Sequence, residues 1–263
     1  MISAARMRGR THDRCDDRIL HRRFGPWRLA ALADGAGSKP RGGTGASLAL
    51  RSLARSLPPL LELLGEDRTE DLLLSQLEAL GALLIDEIQS TVDRHRADTA
   101  PRGDYAATLL FALHHTGGFW LLGHLGDGVI GGIDRSWRPR LLSGPENGEF
   151  ANETFFCTDR DAAERLRLSL HRDLGSVLLM SDGPATLFYR RTDGSVSPAL
   201  RSLAIWQRKL GAQRLSGILR NNLRRHALPR TEDDCSLILL QPRRPLLPVP
   251  LGESNPKPHK ETA

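Results

Sequence analysis

Cysteine is scarce in this chain of 263 residues: Cys15, Cys157 and Cys235 stand far apart, with no CxxC pair and no histidine at ligand spacing. That excludes a disulfide framework and a structural zinc site, and it predicts free thiols. Aromatic residues make up only 5% of the chain. No basic stretch is interleaved with stacking side chains, so the net charge of +6 and the pI near 9.8 describe a solvated basic surface rather than a nucleic-acid site. Long apolar runs are missing too. No uncharged stretch approaches the ~18 residues that span a bilayer, and the opening MISAARMRGR has no apolar run of signal-peptide length. The expectation is a soluble cytoplasmic protein with neither a membrane nor a nucleic-acid partner. No Gly/Ser-rich or Pro-rich linker interrupts the middle, and 40% hydrophobic content supports one large domain with a real core.

What is present divides into helical and strand patterns. WRLAALADG (Trp27 to Gly35) reads as a buried strand entering a turn, followed by the Gly-rich loop SKPRGGTG. A helix is expected from Thr44, with Ala46, Leu50, Leu53 and Leu57 at helical spacing until Pro58 and Pro59 stop or bend it. A second helix is expected over about Glu70 to Arg94, where Leu73, Leu77, Leu80, Leu84, Ile88 and Val92 form one apolar stripe. From Tyr105 the period changes to short apolar runs bounded by Gly and Asp, which predicts an antiparallel meander. Pro145 to Thr158 reads as a flap or loop, and VLLMSDG (Val177 to Gly183) as a buried strand ending in an acidic turn. Helical patterns return at Ala199 to Leu210 and Ala212 to His226, and CSLILLQ is a closing strand. The domain is thus expected to span 1–241, with a Pro-rich, disordered tail over 242–263. Helices, then strands, then both together give an α+β layered architecture rather than a βαβ repeat.

Three of the apolar runs end in Asp-Gly, at Asp34-Gly35, Asp127-Gly128 and Asp182-Gly183, and the closing strand begins just after Asp233-Asp234. Each Asp-Gly alone is also a hairpin turn. As a set they place carboxylates at the ends of buried strands, where a sheet edge can gather them. Two unit charges at ~4 Å repel by about 4 kcal/mol at an effective dielectric of 20, so gathered carboxylates require protons or cations. Ligation by oxygen alone favours magnesium or manganese over zinc.

Taken in order, the acidic pair in CDD (Asp16, Asp17), ADGAGS with GGTG, DYAATLLFAL, HLGDG, LMSDG and EDDCSLILL resemble the type 2C metal-dependent protein serine/threonine phosphatases over roughly residues 9 to 241. With DGAGS and the flap sequence GEFANETF, the chain is similar to a bacterial branch of that family. The resemblance implies a four-layer α/β/β/α sandwich of two antiparallel sheets flanked by helices. It implies hydrolysis of phosphoserine and phosphothreonine by a metal-bridged hydroxide, two Mn²⁺ or Mg²⁺ ions with room for a third, and a role in signal transduction opposite a serine/threonine kinase. Position by position, Asp34 would bridge two metals, the Gly35 carbonyl would complete one shell, and Asp182 and Asp233 would hold the other ion. Asp16 or Asp17 would orient metal-bound water, and Asp127 would serve the third cation. Asp234 stands where the family often has Asn. Arg10 and Arg14 are candidates for the phosphate-gripping arginine.

Two positions depart from that pattern. Many members carry a His two residues after the bridging Asp as the acid for the leaving group; here it is Ala36. Gly128 replaces the usual Ser after Asp127, which removes a hydroxyl but no ligand. Ala36 gives footing to a rival reading, a catalytically weak pseudophosphatase serving as a regulatory binding module. His12, His114, His115 and His124 read as structural or surface residues, since a His pair inside a strand points to opposite faces.

Overall fold

The computed structural model describes residues 1–63, 76–96, 99–146 and 154–242. The described residues form twelve strands: β1 (Ile2–Met7), β2 (Arg18–Phe24), β3 (Trp27–Ala33), β4 (Leu109–His115), β5 (Trp120–Leu125), β6 (Val129–Asp134), β7 (Pro139–Ser143), β8 (Arg167–His171), β9 (Leu174–Met180), β10 (Tyr189–Arg190), β11 (Ser195–Val196) and β12 (Cys235–Leu240). The helices are α1 (Gly42–Leu63), α2 (Leu77–His95), the short α3 (Ala162–Arg165), α4 (Asp182–Phe188), α5 (Ala199–Leu210) and α6 (Ala212–Asn222).

Two five-stranded antiparallel sheets carry the fold, in the orders β2-β3-β4-β5-β8 and β1-β12-β9-β6-β7, and β10 and β11 form a separate hairpin. Side-chain alternation explains the layers. On β3, Ala30 and Leu32 face the second sheet and meet Leu110, Ala112, Trp120 and Leu122 of their own sheet and Ile130, Val177, Leu179, Ile238 and Leu240 of the other. The alternate residues Leu29, Ala31 and Ala33 face outward onto Leu50, Leu53 and Leu57 of α1 and Leu84 and Ile88 of α2. On the far side, Val129, Leu178, Met180, Leu237 and Leu239 face Leu200 and Leu203 of α5 and Leu215 and Leu219 of α6. Both faces of every central strand are covered, which is the expected α/β/β/α sandwich.

The structure changes four local expectations. First, of the two outcomes expected at Pro58 and Pro59, a stop or a bend, the stop is not found: α1 runs on to Leu63. A proline inside a helix costs about 3 kcal/mol, whereas Leu57 and Leu61, one turn apart across the prolines, are both buried in the core and are each worth roughly 1.5–3 kcal/mol. Second, the expected meander is divided between the sheets. β4 and β5 pair in the first, but β6 pairs with β7 and β9 in the second. The chain crosses between them at Gly126-Asp127-Gly128, where Gly126 has φ +110, so Asp127-Gly128 is a crossover and not a hairpin turn. Third, Asp182 opens a helix, α4, rather than ending a turn. Fourth, β1, β2 and β8 join the sheet edges as strands where the alternation is too polar to announce them. The flap's 147–153, the start of the expected second helix up to 75, and the tail from 243 lie outside the described residues.

Candidate functional site

Antiparallel pairing puts alternate strand ends at one rim of the sandwich. The register pairs Arg18 with Ala33, Leu109 with Leu125, Val129 with Met180 and Met180 with Leu237. The start of β2, the ends of β3, β5 and β9 and the start of β12 therefore share that rim, and they carry Asp17, Asp34, Asp127, Asp182 and Asp233 in turn.

Each acidic residue is fixed by local hydrogen bonds. Thr108 clamps Asp34 from both sides: the Asp34 N–H donates to Thr108 Oγ1 at 3.0 Å and the Thr108 N–H donates to the Asp34 carbonyl at 2.8 Å. A Cβ on Gly35 would lie 2.3 Å from the carbonyl carbon of Gly42, so only glycine lets this loop cross the start of α1. At Gly183 a Cβ would come within 2.5 Å of the Asp234 carbonyl; glycine there lets α4 approach β12, and its N–H donates to Asp182 Oδ1 at 2.6 Å. Thr154 Oγ1 donates to Asp127 Oδ2 at 2.7 Å. The Asp233 N–H donates to Thr231 Oγ1 at 3.1 Å, and Asp233 Oδ1 accepts the Asp234 N–H at 2.8 Å.

The sequence left Asp16 and Asp17 undivided; the structure separates them. Asp16 turns to Arg14, whose Nε donates to Asp16 Oδ1 at 3.0 Å, and its carboxylate lies against Gly43 at the start of α1. Asp17 turns to the rim and is fully buried. Arg6 and Arg18 both donate to its carbonyl, at 2.9 and 2.8 Å, leaving the carboxylate free of them. Ser181 Oγ donates to Asp17 Oδ2 at 3.1 Å, and Asp17 Oδ1 is buried with no hydrogen-bond partner. Arg14 is committed to Asp16 and to the Pro40 carbonyl, and Arg10 is exposed.

Asp234 takes a different part from its neighbour. Its Oδ1 accepts the Gly9 N–H at 2.7 Å, and its Oδ2 accepts the N–H of Asp16 at 2.5 Å and that of Asp17 at 3.3 Å. One buried carboxylate thus ties the N-terminal acidic loop to β12. His12 joins the same hub, with Nδ1 at 3.2 Å from Asp234 Oδ1 and Nε2 at 3.8 Å from Asp233 Oδ1. A Cβ on Gly37 would sit 3.5 Å from His12 Cε1, so His12 packs beside the loop that carries Ala36. The sequence pattern reads His12 as a structural or surface residue. Its signal was weak, because the contacts join residues more than 200 positions apart. His114 packs edge-on against Trp120 and His124 bonds to Ser143. Burial lowers both, to about 4 and about 3 respectively. His115 stacks on Phe119.

The electrostatics of the rim follow from what is missing opposite the acids. Burial pushes Asp34 well above the usual carboxylate range, and the charges of Asp17, Asp182, Asp233 and Asp127 push it further. Asp182 is raised to about 7 by burial and by Asp127, Asp233 and Asp17. Asp17 is raised to about 7 by burial and by Asp234 and Asp233, against the opposing Ser181 hydroxyl. Among the described residues, no ion pair engages Asp17, Asp34, Asp127 or Asp182. Among the described residues, no group of three or more histidine, cysteine, aspartate or glutamate side chains is arranged to hold a metal ion. No helix among them is long and apolar enough to cross a membrane.

A family model described as protein phosphatase 2C matches residues 6–224. The chain belongs to the protein phosphatase 2C family. Several solved phosphatases share the fold of this family member. The S. agalactiae serine/threonine phosphatase superposes with a TM-score of 0.63 at 16% identity, covering 91% of this chain and 98% of that one. The Mycobacterium tuberculosis phosphatase PstP does so with a TM-score of 0.57 at 18% identity, covering 91% and 97%. The PstP catalytic domain solved with two manganese ions gives a TM-score of 0.59 at 19% identity, covering 91% and 96%. No curated protein sequence matches the chain. The type 2C resemblance and the two-sheet fold expected from the sequence are both found.

Proposed function

We propose that this type 2C family member hydrolyses phosphoserine and phosphothreonine on other proteins with the help of divalent cations. The observation that supports it most is the strand register that brings the ends carrying Asp17, Asp34, Asp127, Asp182 and Asp233 to one rim, where burial and those neighbouring carboxylates push Asp34 upward. At about 4 kcal/mol per close pair, such a group is stable only when protonated or when cations enter. Its donors are all oxygen, and one of them, Asp17 Oδ1, is buried and unpartnered; that chemistry fits Mn²⁺ or Mg²⁺. Asp34, the Gly35 carbonyl, Asp182 and Asp233 would hold two ions, with Asp127 for a third and Asp17 to orient water. Bound there, the cations supply Lewis-acid charge to the phosphate and lower the pKa of a water molecule.

The chain's own contribution is preorganisation. Thr108 holds the backbone of Asp34, Asp234 locks the N-terminal loop, and the Ser181 hydroxyl sets the carboxylate plane of Asp17. With Ala36 in place of the family's usual His, His12 is the histidine beside that loop, and in this reading it hydrogen-bonds the phosphate or its leaving oxygen. His12→Ala should then slow alkyl phosphates more than aryl phosphates, whose oxide departs unaided; an equal loss on both speaks against that role. An antagonist serine/threonine kinase and a cytoplasmic setting complete the reading.

The test is turnover of an aryl phosphate with manganese, with magnesium and with chelator. Stimulation by manganese that collapses in Asp34→Ala and Asp233→Asn is expected. Ala36 supports the second reading, a pseudophosphatase binding module. Turnover at background with every metal, in a chain that still folds, favours that module.

A further inference from the structure

Positive charge is distributed unevenly over the molecule. Of the 37 lysines and arginines, eight lie in 199–231, while none of the 31 acidic residues does. The rest of the chain, with 29 cations against 31 acids, is slightly acidic. This segment is the outer helical layer of the second sheet: α5, α6, the π-turn Leu223–Ala227 that continues α6, and the turn Leu228–Arg230. Leu215, Leu219 and Leu223 turn one side of α6 and its continuation into the core. Arg214, Arg220, Arg224 and Arg225 stand exposed along the other side, and Arg230 is exposed beyond them. Among the described residues, none of these five makes an ion pair. Self-repulsion on this face is therefore left uncompensated by the fold.

The face leads to the candidate site. Arg230 precedes Asp233 by three residues, and the π-turn packs against α4, the helix that opens with Asp182. From Arg214 to Arg225 the helix rises about 16 Å, the length of roughly five residues of extended peptide. The only exposed large apolar side chains among the described residues are Leu83 and Leu210. The layer has no exposed aromatic side chain to stack bases, and Leu210 at the end of α5 is its one exposed large apolar side chain, too little for a lipid-inserting face, so polypeptide carboxylates complement it best.

We infer that this arginine face is a docking track for acidic segments flanking the phosphorylated residue, so that the substrates are acidic phosphoproteins. The inference rests on the phosphatase reading for its use but not for its binding. Charge alignment along the track raises encounter rate and local concentration and is screened by salt, while the chemistry at the aspartate rim is unaltered.

The test uses the full chain and the triple variant Arg220→Glu, Arg224→Glu, Arg225→Glu, whose side chains are exposed and whose folding is checked by circular dichroism. Two phosphoserine peptides, one flanked by glutamates and one by alanines, are compared with an aryl phosphate under manganese. The glutamate peptide should be preferred by about tenfold in kcat/KM at low salt, through KM, with the preference shrinking as salt rises. In the variant that preference should vanish, while aryl phosphate turnover stays within about twofold. Binding of a labelled non-phosphorylated glutamate peptide is followed alongside. If aryl phosphate is not turned over but this peptide binds wild type and not the variant, the phosphatase reading falls and the track stands. Equal rates on both peptides, equal loss on all substrates, or tighter binding of single-stranded DNA or anionic vesicles than of the acidic peptide would overturn the proposal.

Discussion

Two polar clusters in this molecule treat the aspartate side chain in opposite ways. Asp93 on α2 is held below the usual carboxylate range by its hydrogen bonds to Arg102 and Arg96. Arg102 also donates to Gln89 Oε1 at 2.9 Å, and Gln89 Nε2 donates to the carbonyls of Cys157 and Asp159 at 3.0 and 2.9 Å. That cluster is complete as built: it fastens α2 to the turn at Cys157 and Asp159. At the rim, Asp34 has four carboxylates as its strongest electrostatic neighbours and is driven the other way. Arginines stand close by, yet Arg6 and Arg18 bind Asp17 through its carbonyl. One region has closed its electrostatics with protein cations; the other has kept them open. An opening of that kind lowers stability and is retained where function requires it.

The contrast breaks first at Asp34. Asp34→Asn should lower manganese-stimulated turnover by about 10³-fold or more, while in metal-free urea melts it should raise stability by about 1–2 kcal/mol through lost repulsion. A variant destabilised without metal sinks the idea that the rim is frustrated. Asp17 and Asp16 sharpen it next. Asp17→Asn should cost about 10- to 100-fold in turnover, as residues supporting a metal centre do, whereas Asp16→Asn, which loosens Arg14, should stay within about threefold; equal losses would erase the distinction between them.

At the paired cluster the effect should move to stability. Arg102→Ala should cost about 1 kcal/mol, discounted because both side chains are about a third exposed, with turnover per folded molecule nearly unchanged. A fall in turnover without loss of stability would make the cluster catalytic and end the comparison. The smallest effect is the pH slope. Asp17 and Asp182 are raised to about 7, so between the ordinary carboxylate value and pH 7 the folded state holds more protons than the unfolded one. Their contribution is present at low pH and is lost as pH rises through 7. Metal-free protein should therefore lose stability from pH 5 to 8 relative to Asp17→Asn, and manganese should restore more at pH 8. Buried His114 and His124 act oppositely below their unfolded value, because burial holds both low; the difference from the variant cancels them. A wild-type slope no steeper than the variant's removes the raised carboxylates from the account.

Legibility followed the strength of local periodicity. The stripe Leu80, Leu84, Ile88 and Val92 is buried as expected, and α5 has the bounds its pattern suggested. Strand β2, with His21, Arg22 and Arg23 exposed at a sheet edge, has no apolar alternation to read. The acidic strand ends were visible as Asp-Gly pairs, but a pair that crosses between sheets looks the same in sequence as one that turns a hairpin. Nothing local divides Asp16 from Asp17, or Asp233 from Asp234; hydrogen bonds from Gly9 and from the Asp16 and Asp17 N–H groups make that division.

By itself the sequence determined which segments bury and with what period, because apolar spacing acts within a few residues. It also determined that carboxylates close several buried strands. Only the tertiary structure decided which strands share a sheet, which carboxylate faces the rim, and which arginines stay exposed on one face. Those outcomes depend on register and on contacts between residues far apart in the chain, where no short-range pattern carries information.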